Sequence, residues 1–234
     1  MAFVSLVKQG ILAIAATTLM SAGTSNPAQA LTLFSDDFDG ENGGIANNST
    51  LNYNQFTNWQ VVAGSGGVDL IGEGFINLHP NNGLYVDLDG TGNNAGLLRS
   101  KRAFDFAPGF SYTLGFDLGG SKRGSDEVVR VRLGLGDNSL LDREYTIPSV
   151  AELTTYTESF SVSSPTRAFL FFANGPFLGN TLFSRGDNVG AILDNVNLSA
   201  TALSANPLEI PVPTLLPGLL GLGLGVLRKH KKTT

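Results

Sequence analysis

The chain of 234 residues has no cysteine at all. That excludes disulfides, thiol catalysis and any cysteine-based zinc centre. Histidine is nearly absent too: His79 and His230 are the only two. A Ser-His-Asp triad inside the body of the chain would have to use His79, which precedes Pro80 and has no nucleophile-elbow sequence beside it. Basic side chains are scarce. Between Leu31 and Ala200 there are 19 acidic against 10 basic residues, a balance of −9. Such a surface repels nucleic acid and acidic lipid, so no nucleic-acid partner is expected. Tryptophan occurs once, at Trp59. Glycoside hydrolysis needs two carboxylates across a cleft. Glu73, Glu127 and Glu158 are available, but no paired-Glu strand motif appears, and one tryptophan is thin furnishing for a sugar cleft. The expectation is a protein that is not an enzyme. Helical periodicity and internal repeats are also missing from the middle of the chain.

What is present begins at the two ends. Residues 1–30 have the form of a signal peptide. Lys8 gives the positive start, Ile11 to Met20 the apolar centre, and Ala28-Gln29-Ala30 a small-x-small cleavage site, predicting a mature start at Leu31. At the other end a linker, 201–213, carries Pro211 and Pro213; an apolar segment follows at 214–227 and a basic tail at 228–234. The charge-free run Leu215 to Leu227 ends at Arg228, Lys229, Lys231 and Lys232, the arrangement that holds a segment in a bilayer with its basic end in the cytoplasm. Thirteen residues make about 20 Å of helix against a hydrocarbon core of about 30 Å. Gly218, Gly221, Gly223 and Gly225 weaken that helix further. A transient anchor is expected.

This tail, Pro211-Val212-Pro213-Thr214 followed by Leu215-Leu216-Pro217-Gly218-Leu219 and the Arg228-Lys229 end, resembles the PEP-CTERM class of bacterial sorting signals. The match is to the cyanobacterial proline-motif variants, although the Pro-Glu-Pro triplet itself is absent. The resemblance implies export, membrane capture and handling by an exosortase-like processing enzyme. The sorting residues would be Pro211, Pro213, Thr214, Arg228 and Lys229, and the destination the cell surface or extracellular matrix.

Between the two ends the pattern has period two. Phe110, Tyr112, Leu114, Phe116 and Leu118 alternate with polar or small residues; so do Val129, Val131, Leu133 and Leu135, and Leu84, Val86 and Leu88. Residues 167–173 (RAFLFFA) are apolar on both sides and suit a central strand. Weaker strands are expected at 59–63, 68–72, 75–79, 96–106, 156–162 and 190–199. Eight to ten strands with glycine-rich turns and no helix predict an all-β fold over 31–200, a two-sheet antiparallel sandwich of jelly-roll type. The runs 58–72 (NWQVVAGSGGVDLIG), 83–90 (GLYVDLDG), 107–118 (APGFSYTLGFDL) and 192–196 (ILDNV) resemble, in order and spacing, the choice-of-anchor C group of galactose-binding-like sandwiches. That resemblance implies glycan binding and a structural calcium near the termini.

Asp194 stands out because period two places it with Ile192, Val196 and Leu198, a carboxylate facing the apolar side and requiring a partner. The acidic cluster Asp36, Asp37, Asp39 and Glu41 would supply oxygens if the first and last strands are neighbours, and calcium accepts such mixed donors. By resemblance Asp39 and Asp194 are the ligands, with Asp37 beside them; the alternative is an Asp194 bonded to backbone and an acidic cluster in solvent. Asp87-Leu88-Asp89-Gly90 lacks the later positions of an EF-hand and reads as a strand ending in a turn. Tyr85, on the polar face with Asp87 and Asp89, is the expected ligand surface. Trp59 either stacks on a sugar or fills the core beside Val61. Phe177 and Phe183 are rim contacts or plugs. Together these features predict an exported, surface- or matrix-associated, non-enzymatic sandwich that is glycan-binding or adhesive, with polysaccharide as its partner. A structural matrix protein without a ligand is the alternative, and a small glycoside hydrolase or lyase is third.

Overall fold

The computed structural model describes residues 29–203 apart from 64, 75, 93, 176, 179–180 and 183–187. The signal peptide up to residue 28, Phe183, the proline motif (Pro211, Pro213, Thr214), the apolar segment and the basic end with Arg228 and Lys229 lie outside the described residues. Among the described residues no helix is long and apolar enough to cross a membrane.

Strands account for nearly all regular structure. In chain order they are β1 (Leu31–Asp36), β2 (Trp59–Val61), β3 (Asp69–Ile71), β4 (Tyr85–Asp87), β5 (Leu97–Ser100), β6 (Phe104–Phe106) and β7 (Phe110–Gly119). Then come β8 (Glu127–Leu135), β9 (Asn138–Ile147), β10 (Thr154–Phe160), β11 (Thr166–Asn174), β12 (Phe177–Leu178), β13 (Thr181–Leu182) and β14 (Ile192–Ala202). A single 3-10 turn, Glu41–Gly43, is the only helical element among the described residues.

Strands β7 and β8 form where apolar residues alternate with polar or small ones. Tyr112, Leu114, Phe116 and Leu118 of β7 are buried, and so are Val129, Val131 and Leu133 of β8. The first sheet runs β10-β7-β14-β4-β3, with β1 also paired to β14. The second runs β2-β5-β11-β8-β9, with β6 also paired to β11. The named pairings are antiparallel. The fold is thus all-β with two antiparallel sheets, and their facing sides close one core. First and last strands are neighbours, Leu31 opposite Ala200 and Asp36 opposite Val196, as the metal expectation required.

Aromatic side chains tie the layers together. Trp59 meets Phe172 at 5.7 Å and Phe34 at 5.5 Å, and Phe172 meets Phe116 at 5.4 Å, each edge to face. That geometry suits the ring quadrupoles and adds about 0.5–1.5 kcal/mol per pair beyond area burial.

Three differences from the sequence expectation have physical causes. Strand β9, which the alternation did not flag, is an edge strand with a register shift opposite Leu133 and Gly134. Leu140 is the extra residue at that shift, next to Leu141, and it breaks the period. Of the strand expected at 75–79, the described residues 76–79 are irregular; Leu78 packs over Tyr85, Ile71 and Ile192 as a cover on the outer side of the first sheet. The expected strand 96–106 is two strands, interrupted at Lys101 and Arg102.

Candidate functional site

The expected position of Asp194 is corrected by a bulge. Leu193 pairs with Leu118 and Leu198 with Leu114, so β14 carries one more residue than β7 between those pairs. Asn195 absorbs it with φ +50, a left-handed conformation that asparagine tolerates better than most residues. Leu193, Val196 and Leu198 all reach the core. Asp194 instead shares the outer face with Ile192 and Asp117, beneath the cover formed by the segment before β4. It does not point toward the apolar interior with Val196 and Leu198.

Asp39 lies near enough there for its charge to act on Asp194. The Asp194 carboxylate accepts hydrogen bonds from the Asn82 amide and from the Asn195 backbone N–H at 2.7 Å. Asp39 Oδ1 accepts the Leu84 N–H at 2.7 Å, two residues along the same segment. Gly83 between them has φ +73, and a Cβ there would overlap Asp39 Oδ1. Asp194 is 1% exposed. Burial, reinforced by the charges of Asp39 and Asp117, raises its pKa to about 7 despite the hydrogen bonds it accepts. Among the described residues no lysine or arginine pairs with Asp39, Asp117 or Asp194.

The rest of the acidic cluster is occupied elsewhere. Asp37 Oδ1 accepts the N–H of Asp39 at 3.2 Å in a local turn. Asp36 accepts from Phe38 N–H, Asn58 and the Trp59 indole. Glu41, almost fully buried, accepts the Thr57 N–H at 2.6 Å and the Tyr53 hydroxyl. Among the described residues no three His, Asp or Glu side chains converge closely enough to hold a metal ion. A cation here would therefore rest on Asp39 and Asp194 together with amide and backbone oxygens.

Gly83→Ala tests how tightly this corner is set. The left-handed backbone alone costs a non-glycine residue roughly 1–2 kcal/mol, and the added methyl must also displace the Asp39 carboxylate. We expect a loss of at least that size in urea denaturation; an unchanged midpoint would show that the corner yields freely.

Tyr85, expected as a ligand surface, is buried. Its hydroxyl accepts the N–H groups of Leu78 and His79 at 2.9 and 3.2 Å, so the cover segment sits on it. Asp87 and Asp89 are buried as well. Asp87 pairs with Arg123 and stands opposite Asp69 across β3 and β4. Burial holds the pKa of Asp87 well above the usual carboxylate range and raises that of Asp69. These residues fasten the outer side of the first sheet. Trp59 belongs wholly to the core, its indole N–H donating to Asp36 Oδ2 at 2.8 Å. His79 is buried, its Nε2 donating to the Gly120 carbonyl at 2.9 Å, and burial lowers its pKa. Of the glutamates weighed for hydrolysis, Glu127 is buried against Ser125 and Asn174, and Glu158 accepts the Tyr145 hydroxyl at 2.8 Å.

The face that sequence reasoning missed is the outer side of the second sheet. In β11, Ala168, Leu170 and Phe172 point into the core, while Phe169 and Phe171 are half-buried on the other side. Phe171 stands opposite Arg99 of β5 on one side and Arg132 of β8 on the other. Gln60 continues the row beyond Arg99, and Asp142 beyond Arg132. The Arg99 guanidinium lies 4.7 Å from the Phe169 ring centre, and that of Arg132 lies 5.9 Å from Phe171. Phe169 stands opposite Gly134, which lines a cavity of about 300 Å³ with Ser139, Thr166 and Arg167. The signal was present in RAFLFFA: two outward phenylalanines on a central strand, beside a strand whose outward residues are Arg130 and Arg132. The outer side of the first sheet, by contrast, shows Thr113, Ser199, Thr157 and Ser159 around β7, β14 and β10.

No family model matches the chain. No curated protein matches it either. Among solved structures it is similar to a CBM4 structure at 13% identity, over 76% of this chain and 90% of that one, with a TM-score of 0.35. It is also similar to the K3 cleaved adhesin domain of Lys-gingipain from Porphyromonas gingivalis, at 13% identity over 73% and 99%, TM-score 0.41. A third is the CBM22-1 xylan-binding domain of Xyn10C from Paenibacillus barcinonensis, at 7% identity over 77% and 100%, TM-score 0.40. At that level of superposition the likeness assigns neither a family nor a ligand.

Proposed function

We propose that this sandwich is a non-enzymatic glycan-binding module whose ligand lies on the outer side of the second sheet. The observation that carries the reading is the pair Phe169 and Phe171, half-exposed on a central strand and flanked by Arg99, Arg132, Gln60 and Asp142. Flat apolar rings bordered by hydrogen-bonding groups suit a pyranose, which has an apolar C–H face and a hydroxyl rim. Export by residues 1–30 and sorting to the surface or matrix by the tail belong to the same proposal, as does the jelly-roll, galactose-binding-like descent. The export and jelly-roll readings rest on the residues, and the sorting and galactose-binding-like readings on the sequence resemblance.

The test is binding to a glycan array and to polysaccharide-loaded gels by the wild type and by Phe169→Ala and Phe171→Ala. Covering one phenylalanine is worth about 1.5–3 kcal/mol, so each variant should bind roughly ten- to a hundredfold more weakly at an unchanged melting temperature. No saturable binding of any glycan by the wild type would overturn the reading in favour of a structural matrix protein.

A calcium ion at Asp39 and Asp194 completes the proposal. The donor set is all oxygen, carries surplus negative charge without a basic partner, and joins the first strand region to the last strand. Such an ion would supply no chemistry; it would neutralise the two carboxylates and fix the 82–84 segment.

A further inference from the structure

We infer that the ligand of this face is an acidic saccharide, bearing a carboxylate or sulfate ester that Arg99 and Arg132 hold while the sugar ring rests on Phe169 and Phe171. The inference rests on the glycan-binding reading and adds the class of sugar.

The observation behind it is how the arginines are partnered. Four arginines have alternation placing them on this side of the second sheet: Arg99, Arg130, Arg132 and Arg167. Arg130 is taken, forked onto both oxygens of Asp142, with Nε at 2.5 Å from Oδ1. Arg167 faces Asp105 at 3.7 Å. Arg99 and Arg132 have no carboxylate partner among the described residues. Arg132 donates only to the carbonyls of Gly136 and Asn138. The Nε of Arg99 is buried with no hydrogen-bond partner. A guanidinium stacked on a ring keeps its in-plane N–H donors turned toward whatever approaches, and their fork matches a carboxylate or sulfate bidentately.

Placement does the rest. Arg99, Phe171 and Arg132 occupy one row across β5, β11 and β8. Two strand spacings separate the arginine backbones, about 10 Å, a span comparable to one disaccharide. The rings hold the guanidinium groups beside the aromatic floor, so a bound pyranose has its charged substituent within reach of either fork. In a domain whose balance is −9, an acidic polymer would be repelled over most of the surface and admitted where these two cations stand unopposed. A charge-assisted, bidentate contact is also about twice as strong as a neutral one.

The experiment measures affinity of the purified protein for four polymers: polyglucuronate, the same polymer after reduction of its carboxyl groups to alcohols, dextran sulfate and a neutral glucan. Wild type is compared with Arg132→Gln, Arg99→Gln, the double variant, and Arg143→Gln as a control on the far side of β9. Expected is at least tenfold tighter binding of an acidic polymer than of the reduced one, weakening steeply with salt. The double variant should lose that preference, binding the charged and the reduced polymer alike, and Arg143→Gln should keep it. Preference for dextran sulfate over polyglucuronate would assign the charge to a sulfate ester; the reverse would assign it to a uronate. Equal binding of the charged and reduced polymers would overturn the inference and leave the glycan reading standing. No binding of any polymer would overturn both. Should the double variant melt early, the Arg132→Gln result decides.

Discussion

Trp59→Ala is expected to destabilise the sandwich by about 3–5 kcal/mol, the usual cost of truncating a fully buried tryptophan. Its ring is wholly enclosed and touches Phe34, Phe38 and Phe172, so it bridges the first strand, the turn after it and the central strand of the second sheet. For a domain of this size each kcal/mol moves the melting temperature by about 2–4 °C, giving a drop on the order of 10 °C. Part of the loss is polar, because Asp36 Oδ2 would keep only Asn58 as a side-chain donor. Trp59→Phe separates the parts: it restores most of the ring contact, leaves the carboxylate short of a donor, and should cost about 1 kcal/mol. Unfolding must be followed by circular dichroism, since Trp59 is the sole tryptophan. A Trp59→Ala protein within 1 kcal/mol of wild type would mean that this ring does not join the two layers.

The second large effect is electrostatic. In chelator, stability is expected to fall as pH rises from about 4 to about 7. Asp194 keeps its proton to about pH 7 in the folded chain, whereas the unfolded chain releases it near 4. Between those values the native state binds more protons, so each pH unit costs up to about 1.4 kcal/mol per such group. Asp69 and Asp87, whose pKa values burial also raises, act in the same direction. Asp194→Asn should flatten the Asp194 share of the slope, on the order of 4 kcal/mol across the window at most. Calcium added at pH 7.5 should raise the wild-type melting temperature, and by much less in Asp194→Asn or Asp39→Asn. A saturating ion at a hundred times its Kd contributes about 2.7 kcal/mol. Melting that is indifferent to chelation and to calcium would remove the ion from the proposal. A flat pH profile would mean that Asp194 ionises without hindrance.

Two long strands were legible because their residues alternate, 110–118 as β7 and 129–135 as β8, and a third because it is apolar on both sides, 167–173 as the middle of β11; β9 was not. The site was less so, for reasons that are local. One extra residue in β14 reversed the face of Asp194, and nothing in Asp194-Asn195-Val196 marks a bulge beyond asparagine's tolerance of positive φ. The nearness of Asp39 to Asp194 was anticipated through the pairing of first and last strands, while the part of Asn82 and Gly83 was not. Tyr85 does lie away from the core as its alternation predicted, but a cover drawn from residues 76–82 hides it. Phe169 and Phe171 belong to a strand that reads as central because it is apolar on both sides. Only the arginines across the ladder show that one of those sides is a surface.

The pairing of β1 with β14 has a mechanical consequence. Leu31 stands opposite Ala200, so the chain enters and leaves the sandwich at adjacent points on one edge. Tension applied between those two points would unzip the pair one hydrogen bond at a time, at little force. If the far sheet captures a polymer as proposed, tension between it and the C-terminal end would instead load β14 lengthwise, shearing its ladders to β1, β4 and β7 together. Moored by one end, the sandwich withstands drag; stretched between both, it peels.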